Sequence, residues 1–205
     1  MLELREFAEK RPFLFHTTPV SNLETIRKHS SLLSAKAMTI QAKGKYVRGG
    51  PRQRLVILDM PDDMKVTLRD QKPLLRLKQL ELEDGFTIED LVELLDSYVF
   101  FWSGEEQGFA TSAKYEEELR ALIRVRTADL FKVKDAEPLF CSKNSGGPRA
   151  ASGKPSIRGR HTFVRAGAYK GPISSVREVV FQNGVLLPNS TQVRLPDQAR
   201  FTPLF

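Results

Sequence analysis

The sequence is poor in the residues that staple a small fold or mark a metal centre. A single cysteine, Cys141, stands among 205 residues. No intrachain disulfide can form, and a zinc site built from several cysteines is excluded. A disulfide-held secreted domain is therefore not expected, and a reducing cytoplasm is the expected compartment. The three histidines, His16, His29 and His161, lack the spacing of paired metal ligands, so no metal is expected. There is no Gly-x-Ser-x-Gly elbow and no phosphate loop ending in Gly-Lys-Ser/Thr. No apolar run approaches the roughly 20 residues of a membrane span, so no membrane partner is expected. Met1 to Lys10 carries Glu3, Glu6 and Glu9 where a signal peptide would be apolar.

What is present is an ordinary globular balance, with 40% apolar and 28% charged residues. The length fits one domain, residues 1–205, burying roughly 70% of its unfolded surface without a staple. No internal repeat is visible.

The net charge of +7 is unevenly spread. Residues 81–118 hold twelve acids against Lys114 alone. Residues 138–177 hold Lys143, Arg149, Lys154, Arg158, Arg160, Arg165, Lys170 and Arg177 and no acid. A stretch of one sign repels itself unless a polyanion is near. It reads as a long basic loop, about 141–175, tracking phosphates; the alternative is a mobile, solvated loop.

The pattern of elements is α+β. Helical spacing covers Leu2–Lys10, Asn22–His29 (capped by Ser21, with Glu24 as its capping-box partner), Thr87–Leu95 and Lys114–Arg120. Strand patterns cover 13–16, 55–58, 66–68, Tyr98–Trp102, Leu122–Val125, 161–164, Val176–Phe181 and 185–187. Residues 17–20 read as a turn, 41–53 as a loop, and the chain after Pro196 as irregular.

Polar residues beside these strands are the candidate chemistry. His16 closes an apolar strand, where a structural role is the commoner one. Glu178 lies within Val176–Phe181, on the face of Val176 and Val180 by period two; that places it at a sheet edge or in a cleft. Arg69 precedes Asp70, which allows a local ion pair. Cys141 reads as an ordinary half-buried thiol.

Phe15-His16-Thr17-Thr18, Ser21-Asn22-Leu23, Ile26, His29 and Leu32-Leu33 resemble, in order and spacing, the opening of the DarT-type ADP-ribosyltransferases. Thr17 replaces that family's Ile, and Ser30 or Ser31 its Gly. Tyr98–Trp102 is similar to the family's aromatic central strand, and Ser175–Val180 to the strand carrying its catalytic glutamate. Leu68–Leu74, Phe100-Phe101-Trp102, Asn144-Ser145-Gly146 and Arg158-Gly159 resemble an uncharacterised bacterial family with the same opening.

The resemblance implies an ADP-ribosyltransferase-like split central sheet, with NAD as co-substrate and a long substrate loop before the glutamate. It implies Glu178 and Arg69 as catalytic residues, with Arg54 the second choice for the arginine. His16 would bond the NAD ribose, Thr17 and Thr18 would lie near the cofactor, and Asn22 would help to fix it. Phe100 or Trp102 would wall the nicotinamide pocket, and a core role is open for both. On the basic loop, Arg158 and Arg160 would follow phosphates, while Asn144, Ser145 and His161 would read the acceptor. The implied function is transfer of ADP-ribose to a nucleic acid, RNA or single-stranded DNA, by a toxin of a toxin–antitoxin or phage-defence system with an antitoxin partner. The rivals are a protein acceptor and a non-catalytic nucleic-acid-binding module on a degenerate transferase fold.

Overall fold

The structure is a computed structural model that describes residues 1–75, 81–106, 119–134, 136–147 and 157–205. Its elements are α1 (Leu4–Lys10), β1 (Phe13–Pro19), α2 (Leu23–His29), β2 (Ser31–Leu33), α3 (Ala35–Lys43), β3 (Val56–Asp59), β4 (Lys65–Leu68) and α4 (Ile88–Asp96). They continue with β5 (Tyr98–Trp102), β6 (Arg120–Arg126), α5 (Thr127–Leu130), β7 (Leu139–Cys141), β8 (Val164–Arg165), β9 (Glu178–Gln182), β10 (Gly184–Leu186), β11 (Gln192–Arg194) and β12 (Thr202–Pro203). The α+β expectation holds at this level.

One eight-stranded sheet runs β12-β11-β6-β1-β5-β9-β7-β8, with every pairing antiparallel. β10 pairs with β2, and β3 with β4, as separate ribbons. The large sheet is covered on both faces, which explains why β9 is apolar at consecutive positions. Val179 and Phe181 enter the main core with Phe7, Leu14, Phe101 and Ile123. Val180 turns the other way, to Leu91, Val92, Leu95 and Phe163. Those leucines form the inner stripe of α4, whose start is fixed by a capping box between Thr87 and Asp90.

The two halves of the sheet meet at one register pair, Phe15 with Trp102. β1 pairs along its full length with β6, and β5 along its length with β9. Beyond the meeting point the two central strands part. The His16 ring crosses the gap, its Nδ1–H donating to the Phe100 carbonyl at 2.8 Å. A side chain thus supplies the bond that a ladder N–H would otherwise make.

Several expected boundaries move. Residues 17–19 are strand, because β6 offers them a full partner. α3 occupies the start of the expected loop at 41–53, its first turn capped by Ser34 accepting from the Ala37 N–H. Ser21 does not cap α2; its hydroxyl meets that of Thr67 at 3.2 Å. The strand expected from Val176 begins at Glu178, and Val176 packs in the main core, away from Val180. The strand expected at 161–164 is only the two residues of β8, and β12 gives the C-terminal stretch a short pairing. Arg120 opens a strand rather than closing a helix; 114–118 of that expected helix lie outside the described residues. Ser30 ends α2 in the left-handed region at φ 47°, the seat that glycine fills at least cost.

Candidate active-site cleft

Where β1 and β5 part, the chain folds around a cleft of about 1550 Å³. Its walls are β1, the turn after it, β4 and the segment 69–74, β5, and the turn at residues 144–147. His16, Thr17, Thr18, Asn22, Arg69, Phe100, Trp102, Asn144, Ser145 and Glu178 all line it. These residues come from five separate stretches of the chain, and the fold brings them to one place.

Glu178 is the first residue of β9 and only 2% exposed. Trp102 flanks it on one side of the register and Cys141 on the other. The Ser145 backbone N–H donates to the carboxylate, 3.1 Å from one oxygen and 3.3 Å from the other. Burial pushes the carboxyl up to about 7, while Ser145 and the more distant Arg158 favour its charged form. A carboxyl poised there can exchange a proton near neutral pH. The Ser145 hydroxyl is buried and makes no hydrogen bond of ordinary geometry, although it sits close enough to favour the carboxylate. The neighbouring Cys141 thiol is pushed up to about 12 by burial and by Glu178. It stays protonated and unreactive, as an ordinary buried thiol does.

His16 is the opposite case. Burial pulls the imidazole down to about 4, the Phe100 bond opposes that, and Arg120 and Arg69 reinforce it. The ring is therefore neutral at pH 7. With Nδ1–H committed to Phe100, Nε2 is the acceptor nitrogen. Arg120, missed from the sequence, is 6% exposed at the start of β6, lines the cleft and donates to the Thr17 carbonyl at 3.3 Å. Only its place at the mouth of an apolar strand hinted at it. A second missed group is the buried Asp96, which accepts from Arg52 at 2.5 Å, Gln71 at 2.9 Å and Tyr46 at 3.1 Å. It ties the segment after α3 to α4 along the cleft wall.

Asn22 lines the cleft and also braces it. Its Oδ1 accepts from the Thr67 N–H at 2.7 Å, and its Nδ2 donates to the Thr67 carbonyl at 3.0 Å and to Thr18 Oγ1 at 3.4 Å. The amide thus ties β4, through Thr67, to β1, through Thr18. Arg54 is exposed and does not line the cleft, whereas Arg69 does, as does Arg52, which is paired with Asp96. His161 is exposed and also lies off the cleft.

The basic loop is partly neutralised by the acidic segment. Arg158 has no exposed surface and cannot track a phosphate. Its Nη2 donates to the carbonyls of Asn144 at 2.9 Å and Gly147 at 2.7 Å. Arg160 ion-pairs with Glu83 at 3.4 Å, and its backbone N–H donates to the same carboxylate at 2.9 Å. Arg165 pairs with Glu137 at 3.2 Å. Among the described residues, Arg160 and Arg165 thus stand beside acids from elsewhere in the chain. Arg149 and Lys154 lie outside the described residues.

The chain belongs to a family of unknown function, DUF7002, which matches residues 12–189. No curated protein and no solved structure matches it. Among the described residues there is no helix long and apolar enough to cross a membrane, and no cluster of three or more potential metal ligands.

Proposed function

We propose that the chain is a mono-ADP-ribosyltransferase that uses NAD as co-substrate and a nucleic acid as acceptor. The observation that carries this is a buried carboxyl, Glu178, lining one cleft together with His16, Arg69 and Arg120, its ionisation raised by burial to about 7. The resemblance of the Phe15–Asn22 and Ser175–Val180 segments to DarT-type enzymes supports the assignment of roles.

The donor set suits a dinucleotide. The cations Arg69 and Arg120 beside a neutral His16 suit the anionic, hydroxyl-rich part of the molecule. The carboxylate suits a centre that becomes cationic as nicotinamide departs. NAD supplies the activated ribosyl bond; the protein supplies orientation and charge. His16 Nε2 accepts a ribose hydroxyl, with its tautomer fixed by Phe100. Trp102, the register neighbour of Glu178, gives a flat apolar wall and excludes water. Glu178 stabilises developing positive charge when ionised, and in that form it can take a proton from the attacking acceptor. Asn144 is exposed beside the buried Ser145, where the acceptor can be met.

With Arg158 buried and Arg160 paired, the nucleic-acid acceptor rests on the exposed cations that remain and on the resemblance. The test is incubation with labelled NAD and single-stranded DNA, RNA or cell lysate. Label in protein alone moves the acceptor to the rival class. Oligonucleotide binding without NAD consumption favours the non-catalytic module.

A further inference from the structure

Arg158 stands in an arrangement that an idle structural arginine does not need. Its backbone is clamped by the acidic segment: the Arg158 N–H donates to the Glu81 carbonyl and the Glu83 N–H to the Arg158 carbonyl, both at 2.9 Å. The next residue has to be glycine, since a Cβ there would fall 2.0 Å from a Glu83 carboxylate oxygen. From that fixed base the guanidinium reaches two carbonyls of one turn, Asn144 and Gly147. The turn closes on itself through the Gly147 N–H and the Asn144 carbonyl at 3.1 Å. Between those residues lies Ser145, whose N–H is on Glu178.

We propose that Arg158 is a positioning residue for Glu178, holding the Asn144–Gly147 turn so that the Ser145 N–H stays on the carboxylate. It rests on the proposed function only in naming Glu178 as the reacting group. Two carbonyls bonded by the one nitrogen Nη2 fix both ends of a four-residue turn, and the pre-organised guanidinium loses little freedom in holding them. The chain of contacts runs from the acidic segment through Arg158 and the turn to the cleft floor. This also gives the basic loop a task that needs no phosphate. The charged or titratable groups that bear on the Glu178 carboxyl are Arg158 and Cys141. The thiol stays neutral, so the arginine is the lever.

The test is a carbon-13 NMR titration of glutamate carboxyls in the free protein, with Glu178→Gln identifying the resonance. The wild type is expected to show a midpoint near 7. Arg158→Met removes both carbonyl bonds and the charge, and should raise the midpoint by roughly 1–2 pH units. Arg158→Lys keeps a cation but serves the two carbonyls poorly, so its midpoint should rise by less. It also stands in if the Met variant fails to fold. An unchanged midpoint in either folded variant overturns the proposal. Because no NAD is present, a shifted midpoint in a protein that never turns over NAD would sink the transferase reading and leave the positioning role intact. Turnover with unmoved midpoints would do the reverse.

Discussion

Glu178→Gln separates stability from activity, because the same burial that tunes the carboxyl also costs the fold. Gln keeps the shape and still offers an oxygen to the Ser145 N–H, but it cannot ionise. In the folded protein the carboxyl is raised from an ordinary 4.5 to about 7. Below 4.5 it is protonated in both folded and unfolded chains. Between 4.5 and 7 the unfolded chain releases a proton that the folded chain keeps, so stability falls as pH rises. Above 7 both are ionised and the folded state carries the full cost of a buried anion. The raised value corresponds to about 3 kcal/mol across that window. Urea unfolding of wild type and variant at pH 4.5 and pH 8 checks it. The stability of Glu178→Gln relative to wild type should rise by about 3 kcal/mol between the two conditions. Other titrating groups, His16 and Asp62 included, are present in both proteins and cancel to first order. An equal difference at both pH values would refute the burial argument.

His16→Ala should weaken NAD binding measured by calorimetry; it should also remove one cause of acid sensitivity. The folded imidazole is depressed from 6.5 to about 4, so its contribution is present above pH 6.5 and lost as pH falls through that window. Unaltered NAD affinity would remove His16 from the site. Asn22→Ala should destabilise the fold by roughly 1 kcal/mol, since the part-buried Thr67 N–H and carbonyl lose their partners; denaturant melts decide, and no measurable change would refute the bracing role. Lys170→Ala, at an exposed cation of the basic loop, should flatten the log–log salt dependence of oligonucleotide affinity by about one unit. An unchanged slope would mean that Lys170 touches no phosphate.

The cleft was legible in the sequence to the extent that its residues sit at fixed offsets from strong strands. His16 and Glu178 each belong to a β-rich run, and both line the cleft. Where partners came from distant segments, sequence could not show them. Arg158 counted as surface charge because nothing local reveals that residues 81–83 would clamp it or that Asn144 and Gly147 would take its hydrogen bonds. The bracing role of Asn22 is hidden for the same reason: its partner is Thr67, 45 positions on. Val176 was put on the face of Glu178 by strict alternation, but the strand starts two residues later and the phase is lost. The extension of β1 through Thr17–Pro19 was hidden because Thr-Thr-Pro is turn chemistry locally. Pairing with β6 overrode it, as tertiary context commonly does.

The most direct test of the transferase reading is a single comparison. Wild type and Glu178→Gln are incubated at pH 7.5 with NAD labelled on the adenylate, together with single-stranded DNA and RNA. Released nicotinamide and labelled polymer are both measured. Nicotinamide release matched by label on nucleic acid is expected for the wild type, and a loss of at least about 10²-fold in the variant. Absence of nicotinamide release by folded wild type with any acceptor, or equal transfer by Glu178→Gln, would contradict the transferase reading.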